Sequence, residues 1–136
     1  MKAIYFLAIV FTIVIQSNNS FSQKPGFLKI KFDVTDSVKT FIDNPTITVY
    51  EEGKEINKLN TNPCSLTLDL NKTYLLEVSA NTHNTKTIMF DTNVPETDLV
   101  YKYNFRVGLL HRIITEKSLT KVCYDEKVKA FDFCEK

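Results

Sequence analysis

From Leu99 to Leu109 every second residue is apolar or aromatic: Leu99, Tyr101, Tyr103, Phe105, Val107 and Leu109. Lys102, Asn104 and Arg106 stand between them. Successive side chains of an extended chain point to opposite faces, so this stretch has one greasy face and one polar face. Wound as a helix, the same residues would be scattered around the axis instead of forming a stripe. The chain must therefore bury one face of a strand against other extended segments. The period recurs upstream. Leu28, Ile30, Phe32 and Val34 alternate with Lys29, Lys31 and Asp33; Ile47 and Val49 alternate with Thr46, Thr48 and Tyr50; Leu66, Leu68 and Leu70 alternate with Ser65, Thr67 and Asp69. Tyr74, Leu76 and Val78 share a face within Thr73 to Ala80, and Ile88 and Phe90 do so within Lys86 to Asp91.

Turn chemistry separates these runs. Gly53, within Glu52-Gly53-Lys54, accepts the positive φ of a tight hairpin, and Asn71-Lys72 suits a two-residue turn. Ser37 to Ile42 has room for a short helical turn, which Asn44-Pro45 closes. The reading is an all-β, antiparallel β-sandwich of about seven strands, Ig-like in architecture, over residues 23–118. Residues 119–136 keep Val122, Tyr124, Phe131 and Phe133, and are expected to pack on the sandwich as a small hairpin or tail.

The first 22 residues read as an address rather than as part of the fold. Lys2 precedes a mostly apolar run from Ala3 to Ile15, 13 residues long. As a helix this would reach roughly 20 Å, short of the ~30 Å hydrocarbon core of a bilayer. Ser20-Phe21-Ser22 then places small residues where a signal peptidase reads, so a cleaved signal peptide with cleavage after Ser22 is expected. No later apolar run approaches the length of a spanning helix, so no membrane span is expected after signal removal. The expected location is the periplasm, the cell surface or the medium. Removing Lys2 leaves 16 cations against 16 anions, which gives no basic excess for a nucleic-acid backbone.

Export sets the redox context for Cys64, Cys123 and Cys134. An odd count leaves at least one thiol free or paired between chains. Cys123 and Cys134, on two short segments able to face each other, are the favoured disulfide, and three small buried hydrophobes are the alternative. There is no C-x-x-C, and His83 and His111 lie far apart in sequence, so no metal and no cofactor is expected.

The run from Leu28 through Leu109 resembles the exported carboxypeptidase-regulatory-like domains, small prealbumin-like β-sandwiches of Gram-negative envelopes. Asn44-Pro45-Thr46-Ile47-Thr48-Val49-Tyr50-Glu51-Glu52-Gly53 is similar to their hairpin, and Leu66 to Leu70 to the strand that follows. Lys72 to Ala80 and Lys86 to Thr92 resemble the next pair, and Val122 to Glu126 with Ala130 to Phe133 resembles the ending of one subgroup. Pro63-Cys64 and Thr82-His83-Asn84 stand where the family has glycine-containing turns. The resemblance implies an accessory domain with no catalytic residues to carry over, one that supports neighbours or mediates surface contacts. A related sandwich family, the hydroxyisourate hydrolases, carries a His/Arg/His constellation with a Tyr-Arg-Gly-Ser ending that this sequence does not contain.

Other residues admit both a chemical and a packing reading. His111 after Leu109-Leu110 suits a ligand site or a solvated strand end, and His83 suits a polar turn. Asp33, Asp36 and Asp43 are assigned to one interstrand loop, as a calcium site or, more simply, as solvated residues, since they lack the alternating order of a tight calcium loop. Tyr101, Tyr103 and Phe105 suit a sugar-stacking platform or, more simply, the core. Asn71-Lys72-Thr73 matches a glycosylation sequon inside a tight turn, and Lys29 and Lys31 raise an isopeptide bond to an Asp or Asn. No catalytic motif is present. The expectation is a non-enzymatic, exported cell-envelope protein acting through contacts with an envelope protein partner, with a small-ligand or carbohydrate-binding module as the alternative. An exposed apolar patch would favour the first and a concave pocket with convergent polar groups the second.

Overall fold

In the computed structural model, which describes residues 24–111 and 119–134, nine strands form two sheets packed face to face, with no helix among the described residues. The expected signal segment and its cleavage point at Ser22 lie outside the described residues. The strands are β1 (Phe27–Thr35), β2 (Thr46–Glu51), β3 (Lys54–Leu59), β4 (Cys64–Asp69), β5 (Thr73–Ser79), β6 (Lys86–Asp91), β7 (Val100–Gly108), β8 (Leu119–Asp125) and β9 (Ala130–Phe133). One sheet has the order β4-β1-β7, the other β3-β2-β5-β6-β8-β9.

The all-β sandwich is as expected, but it has nine strands where about seven were expected, and both sheets are mixed where antiparallel pairing was expected. β1 and β7 pair in parallel over nine residues, Phe27 with Val100 through Thr35 with Gly108, and β6 pairs in parallel with β8. Alternation fixes which face is buried but is silent on strand direction, so the sequence left direction open. The strand missed altogether is β3. It is exposed along almost its whole length, carries only Ile56 and Leu59 as apolar residues, and lies at a sheet edge. Lys54 and Lys58 on such an edge discourage pairing with another chain. Ser37 to Ile42 forms a turn rather than a helical segment: the Asp36 carboxylate accepts from the Val38 and Thr40 amides, at 2.9 and 2.8 Å.

The alternating residues meet between the sheets. Leu28, Ile30, Phe32 and Val34 of β1, with Leu66 and Leu68 of β4, face Ile47, Val49, Leu76, Val78, Ile88 and Phe90 across the interior. Burying an aliphatic or aromatic side chain of this size contributes about 1.5–3 kcal/mol. β7 supplies a row of rings on the same side. Phe105 stacks on Phe32 at 4.9 Å and meets Phe90 of the opposite sheet at 5.8 Å. The β8-β9 hairpin covers the rest of this row, with Phe131 and Tyr124 against Tyr101 and Phe133 against Tyr103. Burial, with the Asp132 charge nearby, pushes the Tyr103 phenol up to about 12.

Toward each end of the sandwich a polar side chain ties connecting segments to the strands. Asn62 accepts from the Val34 amide at 2.9 Å and donates to the carbonyls of Val34 and Ile42, at 2.7 and 2.9 Å. At the other end the buried Thr92 hydroxyl accepts from the Lys72 amide at 3.0 Å and faces the carbonyls of Asp69 and Lys72 at 2.8 and 2.9 Å. A buried polar group stripped of its partner costs about 1–3 kcal/mol. Thr92→Val keeps the volume and removes these bonds, so urea unfolding is expected to show a stability loss of about 2 kcal/mol. A loss below about 0.5 kcal/mol, the range of an inert surface change, would contradict this role.

Candidate functional site

Along a strand buried on one face, outward positions are normally polar, and three outward positions here are not. Tyr50, Leu75 and Met89 break the alternation of β2, β5 and β6. Registration puts them side by side: Tyr50 opposite Leu75, and Leu75 opposite Met89. They form a half-buried apolar row on the outer face of the six-stranded sheet. Two turns at the end of the sheet rise beside this row. In the first, Glu52 and Gly53 both have positive φ, 51° and 78°, as a tight type I′ hairpin requires. In the second, Asn71 takes φ 60°, a conformation that asparagine tolerates better than most residues.

Row and turns together border an open cleft of about 720 Å³. Its floor is Tyr50, Leu75 and Met89, and its polar lining includes Glu51, Lys72, Asn71, Asn93 and Glu77. Lys72 Nζ lies 2.7 Å from the Glu51 carboxylate and 3.2 Å from that of Asp69. These bonds hold the Lys72 ammonium above its ordinary range, against a smaller opposing effect of burial. The Tyr50 hydroxyl donates to Glu77 at 3.2 Å, and its pKa is raised by burial first and then by the Glu77 charge. The cleft thus offers an aromatic surface, amide donors and acceptors, and carboxylates already engaged by neighbours. Such a set suits hydrogen-bonding recognition around an apolar contact.

None of the residues singled out for chemistry from the sequence lines this cleft, apart from the Asn71-Lys72-Thr73 turn. The signal that identifies it is the three out-of-phase apolar residues. Tyr101, Tyr103 and Phe105 belong to the core and to the hairpin contact. Asp33 lies in β1 rather than in a loop and sits 3.8 Å from Arg106, while Asp36 caps its own turn. Among the described residues no group of three or more His, Cys, Asp or Glu is placed to hold a metal. Lys29 and Lys31 point to solvent from β1, with Lys29 over the Phe27 ring at 5.5 Å. His83 and His111, distant in sequence, are brought together at the far end of the sandwich, where their backbones form a bridge and their rings stack at 4.4 Å. Cys123 is joined to Cys134 across the β8-β9 hairpin, with Cα atoms 5.8 Å apart, and Cys64 is free and fully buried.

No family model matches the sequence, and neither does any curated protein. The structure is similar to a solved one from Bacteroides fragilis, described as a candidate membrane-associated protein of unknown function. The TM-score is 0.50 and the identity 15%, and the match covers 67% of this chain and 30% of that one. This chain therefore corresponds to less than a third of that protein, and the likeness concerns the fold alone. Among the described residues no helix is long and apolar enough to cross a membrane.

Burial pushes the Cys64 thiol up to about 11, which removes thiolate at neutral pH. A thiol count on the oxidised protein should give no reactive thiol while folded and one after unfolding. Because the raised pKa belongs to the folded state, the contribution of Cys64 to stability should be complete below about pH 9 and be lost as pH rises toward 11. Three thiols after unfolding, or fast labelling of Cys64 in the folded protein, would contradict this arrangement.

Proposed function

We propose that the protein is an exported, non-catalytic recognition domain of a Gram-negative cell envelope, which takes a small polyhydroxylated ligand of the saccharide class in the cleft over Tyr50, Leu75 and Met89. The observation that carries this reading is the cleft itself: a concavity of about 720 Å³ with an apolar floor and a convergent polar rim. A sugar ring has an apolar face to lie on Tyr50 and hydroxyls around its edge for Asn71, Asn93, Glu77 and Lys72. Glu51 is paired with Lys72 and Glu77 accepts from Tyr50, which supports recognition rather than acid–base chemistry. Export is supported by Lys2, the apolar run Ala3 to Ile15 and the Ser20-Phe21-Ser22 junction. Kinship with the carboxypeptidase-regulatory-like domains is part of the proposal. The segments that resemble that family supply β2, β5 and β6, three adjacent strands of one sheet, with β8 and β9 beyond them and β4 in the other sheet.

A second reading, contact with an envelope protein, is favoured by a specific feature at the opposite end. The loop after β1 exposes Val38 at 76% and Phe41 at 56% of their surface. Isothermal titration with a panel of neutral and amino oligosaccharides separates the two. The cleft reading predicts saturable binding that Tyr50→Ala weakens at least tenfold while the thermal midpoint stays within a few degrees. Absence of saturable binding, together with an envelope protein captured by the wild type and lost by Phe41→Asp, would overturn it in favour of protein contact.

A further inference from the structure

Register alone decides what the outer face of the three-stranded sheet carries. On β1 the outward positions are Phe27, Lys29, Lys31 and Asp33, between the buried Leu28, Ile30, Phe32 and Val34. Parallel pairing sets Val100, Lys102, Asn104 and Arg106 of β7 beside them in that order. Asp69, Thr67 and Ser65 of β4 stand on the other side. Lys29, Lys31, Lys102 and Arg106 thus share one face, and no third layer covers it among the described residues.

These cations are unevenly neutralised. Arg106 has the Asp33 carboxylate at 3.8 Å, and Asp69, at the rim, is engaged by Lys72 at 3.2 Å. Lys29, Lys31 and Lys102 have no carboxylate at ion-pair distance among the described residues. Lys29 and Lys102 are direct register partners, and like charges side by side work against a sheet. Lysine on an edge strand has a folding role, since it keeps other chains from pairing, and this accounts for Lys102 on β7. β1 is the central strand, paired on both sides, so edge protection does not account for Lys29 and Lys31.

One end of the same face is apolar. Phe27 and Val100 are register partners there; Val100 is 50% exposed and the adjoining Leu99 43%. Lys29 extends over the Phe27 ring at 5.5 Å, so the charge and the apolar surface are contiguous. Headgroup phosphates of an anionic bilayer attract lysines while apolar side chains enter the headgroup boundary, and this face offers both. A soluble polyanion would meet the cations and leave the apolar end in water.

We propose that the outer face of β4-β1-β7 docks on an anionic phospholipid surface, with Lys29, Lys31 and Lys102 on headgroup phosphates and Val100 and Leu99 at the boundary. The contact is peripheral and reversible, and it needs no spanning segment. The outer faces of the two sheets point in opposite directions, so docking leaves the cleft over Tyr50, Leu75 and Met89 turned away from the bilayer. The proposal does not depend on what that cleft holds.

The test is co-sedimentation of the exported chain, disulfide intact, with vesicles of phosphatidylglycerol mixed into phosphatidylcholine and with vesicles of phosphatidylcholine alone. The expected result is at least tenfold stronger binding to the anionic vesicles, weakening as salt screens the charges. Lys29→Glu with Lys102→Glu should lower that binding at least tenfold, and Lys29→Gln with Lys102→Gln, which only removes the charges, should lower it in the same direction. Lys54→Glu with Lys58→Glu makes the same change of net charge on the exposed edge strand β3 and should alter binding less than threefold. Equal binding to both kinds of vesicle, an equal loss in the β3 variant, or binding of soluble dextran sulfate without binding of anionic vesicles would overturn the proposal.

Discussion

The parallel pairing of β1 with β7 is the contact on which the rest of the structure depends. It joins the first and seventh strands, separated by five others in the chain, and lines up Phe32 with Phe105 so that their rings stack. Hydrogen bonds alone would make this a modest gain, because each replaces a bond to water. The larger gain comes from the apolar faces that the pairing sets in register. Leu28, Ile30, Phe32 and Val34 form one continuous buried stripe with Tyr103, Val107 and Leu109 beside it. The second sheet and the β8-β9 hairpin then close over a surface that neither strand could present alone.

The widths of the two sheets explain which strands and faces stay uncovered. Three strands cover the inner face of a six-stranded sheet, so β3 projects beyond the cover and is exposed. The outer face of β2, β5 and β6 has no third layer among the described residues, yet it carries Tyr50, Leu75 and Met89 in one row. Apolar side chains kept on an uncovered face cost solubility, and the proposed ligand contact is what would offset that cost. Of the two turns that wall this row, the one at Asn71 depends on Thr92, which fixes the Asp69–Lys72 segment by three contacts to one hydroxyl. Core packing and cleft geometry thus share one buried side chain.

The fold class was legible because the period of two is a local property: Leu28 to Val34 and Leu99 to Leu109 declare strands without knowledge of their partners. A hairpin in the tail was legible for the same reason, from Val122, Tyr124, Phe131 and Phe133, but not that it extends the six-stranded sheet through the parallel pairing of β8 with β6 instead of packing on a sandwich that ends at residue 118. β3 was not, since a strand wetted on both faces has no reason to alternate. Strand direction was not, since antiparallel and parallel ladders bury the same alternate residues. The histidine pair was illegible in principle, because 28 positions separate two residues whose proximity depends on which strands are neighbours. The cleft lay between these cases. Tyr74-Leu75-Leu76 and Ile88-Met89-Phe90 are visibly too apolar for strands with one wet face, but their meeting required the register.

The most direct test of the account is nuclear Overhauser spectroscopy of the folded protein, which reads strand direction and ring contacts without disturbing either. It should show parallel cross-strand connectivities from Phe27–Thr35 to Val100–Gly108, ring contacts of Phe32 with Phe105, and ring contacts of Phe133 with Tyr103. An antiparallel pattern between those two segments, or a Phe133 ring with contacts only to solvent, would contradict it.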